Sequence, residues 1–184
     1  YRNYYWKPPG RAGARAGQGG GSSNQVNTAA GVAALLDNDK HKYWKMSNGY
    51  LLPTDPNTMK AVKERLAKEV GLPARVADAV RVGVHWDTAT AATKRCRDGG
   101  STHRVCQVFA SAVPVAYTKS TLSQHWEPFA TAVLEGAYDA TLSVAALIAR
   151  ERGQRVTVFL TLVGGGAFGN RSIWIHRAIE RALT

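Results

Sequence analysis

The chain has 184 residues, 45% of them hydrophobic, and 24 lysines and arginines against 13 acids give a formal charge of +11. That is enough apolar material for one domain with a sizeable core, and it excludes a disordered chain. No uninterrupted apolar stretch approaches the ~20 residues of a spanning helix, so no membrane is expected among the partners.

The composition changes near residue 23. YRNYYWKPPG is aromatic and basic, and RAGARAGQGGGSS has no hydrophobic period, so 1–23 read as a flexible basic arm and 24–184 as a single domain. A first helix is expected over 25–36, capped by Ser23 or Asn24, with Val26, Ala29, Ala33 and Leu36 on one face. DNDKHKYWKMSNGYLLP (37–53) reads as a loop with a turn at Asn48-Gly49. A second helix starts at Asp55-Pro56, buries Met59, Val62, Leu66 and Val70, and stops at Gly71.

Val80, Val82, Val84 and Trp86 then alternate with Arg81, Gly83, His85 and Asp87, the pattern of a half-buried strand. Residues 88–104 are polar and read as a loop. VCQVFASAVPVAY (105–117) is apolar on both faces, as a covered central strand would be, and should lose regular pairing near Pro114. The longest helix is expected over 127–150, burying Leu134, Tyr138, Leu142, Ala145 and Ile148 and ending at Gly153. VTVFLTLV (156–163) reads as a short buried strand, and a last helix carries Ile175, Ala178, Ile179 and Ala182. Strand 105–117, helix 127–150 and strand 156–163 make one βαβ unit. The expected class is therefore α/β, a mixed, partly parallel sheet flanked by helices on both faces.

The chemistry concentrates in Gly164-Gly165-Gly166-Ala167-Phe168-Gly169-Asn170, a Gly-x-Gly-x-x-Gly spacing between a strand and a helix. Glycines let backbone N–H groups approach a phosphate, and the following helix, capped by Asn170 or Ser172, points its positive end at the same place. A tight structural turn has the same spacing. Rossmann proteins use it too, but no further βαβ and no acid ~20 residues on follows here, so an NAD-dependent dehydrogenase is not expected.

These residues carry a resemblance. The run 105–183 resembles the second half of a macrodomain, the ADP-ribose-binding module. SAVPVAY (111–117) matches its strand-ending turn, Leu134, Tyr138 and Leu142 match a helix pattern, and the Gly loop matches Gly-Ser/Thr-Gly-aliphatic-aromatic-Gly. Gly165 and Ala167 depart from the usual Ser or Thr and the usual Val or Ile. YRNYYW, NGYLLP, VHWDT and HWEPFA are similar to a macrodomain-like group of longer proteins. The resemblance implies a macrodomain-like fold that binds ADP-ribose or a related nucleotide diphosphate, and in full-length form an ADP-ribosyl hydrolase. Gly164, Gly166, Ala167 and Gly169 would then offer backbone donors to the diphosphate, with Phe168 against the distal ribose. No cofactor is implied. The family's adenine-contacting Asp and catalytic Asn-rich loop have no counterpart here, so its first strands would lie upstream of Tyr1.

His85 and Asp87 share the exposed face of a strand, where they read either as a base with its partner or as an ordinary polar face. The five histidines have no metal-ligand spacing, so no metal site is expected. Trp126 and Trp174 read as packing residues rather than base-stacking ones. Cys96 and Cys106 are too few for a disulfide scaffold; they read as two reduced thiols in a cytoplasmic or nuclear protein, with a single disulfide as the alternative. The cationic excess lies outside 101–150, which holds three charges of each sign. It supports an alternative function, a non-enzymatic basic protein that binds nucleic acid, poly(ADP-ribose) or another polyanion.

Overall fold

A computed structural model describes residues 4–5, 25–89 and 104–184. The arm expected over 1–23 lies outside the described residues, apart from β1 (Tyr4–Tyr5), which pairs with β2 (Gln25–Val26). Cys96 and most of the loop expected over 88–104 also lie outside them.

The first helix is shorter than its periodicity suggests. α1 spans Ala30–Leu35, and Asn27 rather than Ser23 or Asn24 organises its start by accepting the Ala29 N–H at 3.0 Å. Ala29, Val32 and Leu36 are buried. Its carbonyl end is closed from outside: Arg65 donates to Leu36 O at 2.7 Å and pairs with Asp37 at 2.8 Å. A cation at a helix C-terminus satisfies the last carbonyls and opposes the helix dipole.

The stretch expected as a loop over 37–53 contains a hairpin, β3 (Trp44–Ser47) with β4 (Tyr50–Pro53). Asn48 (φ 49°) and Gly49 (φ 78°) are both left-handed, as a tight two-residue hairpin turn requires. Asn38 fastens the hairpin, accepting the N–H groups of Tyr43 (2.7 Å) and Trp44 (3.2 Å) and donating to Trp44 O (2.9 Å). Trp44 and Leu51 are buried, and the Trp44 ring lies 5.2 Å from that of Phe129.

α2 (Thr58–Lys68) buries Met59, Val62 and Leu66 as expected, but Val70 is 98% exposed. The helix stops before it, and Gly71 (φ 79°) opens a separate helix, α3 (Leu72–Asp78), which the sequence reading overlooked. The central element is α4 (Ser123–Arg152), 30 residues long, which packs against α2, α3 and α5 (Ser172–Leu183). It buries Leu134 and Tyr138 as expected, together with Trp126, Phe129 and Val133, while Leu142, Ala145 and Ile148 are only half-buried. Gly136 marks its crossing with α3: a Cβ there would lie 2.2 Å from Ala77 O. Pro128 sits inside α4, where it cannot donate to the carbonyl of Gln124, and Lys63 Nζ takes that oxygen at 3.2 Å. By length and composition α4 is apolar enough to cross a membrane; in this fold it is the helix around which α2, α3 and α5 assemble. α5 buries Trp174, Ile175 and Ala178 against it, and its Arg181 pairs with Asp139 and, at 3.8 Å, with Glu135.

The sheet expectation is overturned. β5 (Gly83–Ala89) pairs with β6 (Arg104–Phe109) antiparallel, and every sheet among the described residues is a two-stranded antiparallel one. The segment expected as a central strand over 105–117 keeps a ladder only to Phe109 and ends in a short 3-10 turn at Val115–Tyr117. Residues 156–163 enter no ladder among the described residues, and Phe159 is 90% exposed. No βαβ unit therefore forms, and the mixed, partly parallel α/β sheet of the macrodomain-like expectation is replaced by a helical core with small hairpins. The reason lies in pairing: an apolar run becomes a strand only when a second backbone edge is available to it.

Candidate functional site

The glycine loop follows the unpaired run 156–163 and leads into α5. Gly164 (φ 79°) and Gly169 (φ 68°) are left-handed, and neither has room for a side chain. A Cβ at 164 would lie 2.4 Å from Ala112 Cβ, and one at 169 would lie 2.8 Å from Ala116 Cβ. Three short bonds close the loop: Gly165 N–H to Leu162 O (3.0 Å), Gly169 N–H to Gly166 O (2.9 Å) and Asn170 N–H to Gly164 O (2.9 Å). Ala116 N–H donates to Phe168 O at 2.9 Å and joins the loop to the turn after β6.

Asn170 is buried and acts as a pin. Its Nδ2 donates to Val113 O at 2.9 Å and Gly164 O at 3.2 Å, so it does not cap α5. Ser172 does not cap it either; the helix is entered from Arg171 with no side-chain cap. Gly164, Gly169 and Asn170 thus shape the loop, and the N–H groups of Gly169 and Asn170 are engaged within it. The N–H groups of Gly166, Ala167 and Phe168 have no acceptor among the described residues. Gly166 and Ala167 are exposed, and a Cβ at Gly166 would meet nothing within 4 Å. Gly165 is exposed as well, with Ile175 Cδ1 3.1 Å from its Cβ position.

Phe168 packs edge-on against two tyrosines. Its ring lies 5.9 Å from Tyr50 and 5.4 Å from Tyr117, which are 5.3 Å from one another. Tyr117 is 46% exposed. The tyrosines were missed because they stand on separate segments with no shared period; the available signal was an aromatic at the close of each turn, in NGY and in VPVAY.

The loop closes one end of a cleft of about 1090 Å³ between β6 and residues 154–163. Val144, Ala145 and Ile148 of α4 line it, as do Arg152 and Arg155. Tyr138 holds the wall from below, donating to Thr161 O at 2.7 Å and accepting Val163 N–H at 3.1 Å. Burial pushes its phenol up, partly offset by that N–H. Burial also pushes the Cys106 thiol up, opposed by the charge of Arg152.

The other candidates do not assemble. Asp87 accepts from Arg104 at 2.8 Å, while the His85 ring packs 4.9 Å from Phe109. A bulge lies between His85 and Thr88, and no hydrogen bond joins His85 to Asp87 among the described residues. Trp126 and Trp174 are core residues with no face open to a base. No cluster of metal-ligating side chains occurs among the described residues. Comparison of the chain with protein-family models, curated proteins and solved structures gives no match.

Proposed function

We propose that the chain binds a nucleotide diphosphate of the ADP-ribose class at the glycine loop. The observation that supports this is the row of three N–H groups, Gly166 to Phe168, with no acceptor among the described residues, in a loop whose shape Asn170 fixes. Preorganised backbone donors bind phosphate oxygens without a side chain to order first. Tyr117 and Phe168 stand beside them and offer an aromatic face to the base or ribose. The resemblance of the loop to the macrodomain phosphate segment points to the same ligand. Arg171 is drawn over the Trp174 ring, 5.9 Å from its centroid, and adds positive charge one residue after the loop.

Calorimetry with ADP-ribose tests the reading. Gly166→Glu is expected to abolish binding, because it sets a carboxylate where the diphosphate would lie; the open space at 166 lets the variant fold. Tyr117→Ala should weaken binding by about tenfold or more, a stacking contact being worth ~1–3 kcal/mol. A short oligonucleotide is the competing ligand. Binding of the oligonucleotide alone, falling steeply with salt, would replace this reading with the polyanion one.

A further inference from the structure

The long part of the cleft, away from the glycine loop, has walls of an unusual kind. One is β6, laddered to β5 on one edge and to no strand on the other among the described residues. The second is 155–162, which runs without a turn or bend and makes no backbone hydrogen bond from Arg155 to Leu160 among the described residues. The two run in the same direction. Gly164 abuts Ala112 at one end, and Cys106 and Arg152 both line the cleft away from it. The floor is the apolar side of α4, from Val144 to Ile148. Among the described residues no carboxylate lines the cleft, and Arg152 and Arg155 form no ion pair.

We propose that this cleft accepts an extended polypeptide strand. The strand pairs with β6 on one side and with 155–160 on the other, turns an apolar face to α4, and carries a carboxylate at the end beside Arg152 and Arg155. Backbone groups that recur every ~6.6 Å along each wall are matched by another backbone and by no nucleotide or acyl chain. The occupant also covers Phe159, an apolar side chain that the described fold leaves 90% exposed. This inference stands on the walls of the cleft and does not depend on the nucleotide reading.

The probe is a fluorescein-labelled, eight-residue peptide of alternating valine and threonine led by aspartate, titrated against the full 184-residue chain by fluorescence polarisation. Two further peptides carry N-methyl groups on the odd or on the even residues, so that each blocks one edge of the strand. Saturable binding is expected, weakened at least about tenfold by either methylation pattern. The double variant Arg152→Glu, Arg155→Glu should weaken the aspartate-led peptide and leave a lysine-led one unharmed; both side chains are on exposed residues, so the fold tolerates the change. Absence of saturable binding, or binding that ignores both methylation patterns, overturns the proposal. Sensitivity to one pattern only would reduce the slot to a single edge and overturn it as stated. ADP-ribose binding measured in parallel moves with Gly166→Glu and not with the arginine pair, which keeps the two readings separate.

Discussion

Residues 156–163 are richer in strand formers than residues 44–53, which include two leucines, a lysine, a methionine and an Asn-Gly pair. The hairpin nevertheless forms from the poorer of the two, and the better strand former enters no ladder. The hairpin's two halves are joined by two residues, so each finds its partner at almost no loop-closure cost, and the core receives Trp44 and Leu51. The run 156–163 follows a 30-residue helix and finds no partner strand among the described residues. Propensity sets how well a chain fits a sheet; the supply of a second edge decides whether there is one.

The largest expected contrast is between the two aromatics. Trp44→Ala should cost about 3–5 kcal/mol in urea denaturation, because it empties a packed site against Phe129. Phe159→Ala removes an equally apolar ring from an exposed position and should stay within about 0.5 kcal/mol of wild type. Equal costs would mean that 156–163 packs as firmly as the hairpin.

A smaller contrast separates the two polar anchors. Asn38→Ala leaves Tyr43 N–H, Trp44 N–H and Trp44 O without the side chain that holds them, and a loss of about 1–3 kcal/mol is expected. Tyr138→Phe frees Thr161 O and Val163 N–H, both near solvent, and should cost about 1 kcal/mol. Hydrogen exchange sharpens the point. Val163 is expected to lose protection in the tyrosine variant while residues 44–53 keep theirs.

The smallest effect belongs to α4, which supports both regions. Burial raises the Glu135 carboxyl above its ordinary range, with Arg181 working against the shift. The folded state therefore holds the Glu135 proton more tightly than the unfolded chain does. Its contribution is full below the ordinary carboxylate pKa and is lost as pH rises through the raised one. Glu135→Gln removes that titration, so the difference between variant and wild type should move in the variant's favour from acid to neutral pH in parallel denaturation series.

The legible parts of the fold were those specified within one segment. The 3.6-residue stripes of α2 and α5, and the helix stop at Gly153 (φ 63°), stand where the pattern placed them. Val70 misled because the stripe continued past the end of the helix, and three residues, an extended Glu69, Val70 and the left-handed Gly71, separate α2 from α3. The hairpin at 44–53 was hidden by Lys45 and Ser47, although Asn-Gly between apolar residues is its signature. The glycine loop was legible as a turn and not as a division of labour. Which glycines serve packing and which leave a donor open follows from Ala112, Ala116 and Asn170, residues whose nearness no spacing announces.

The crossing at Gly136 also has a mechanical side. Main chain meets main chain there, so α4 is gripped at a fulcrum, and Arg152 lies sixteen residues, or ~24 Å, beyond it. A tilt of about 5° at the grip swings that tip by about 2 Å. Val144 is the one buried residue on the free arm past Tyr138, and the Asp139–Arg181 pair braces it close to the pivot, where leverage is least. A modest rotation in the core would thereby be amplified into a change in the width of the arginine end of the cleft.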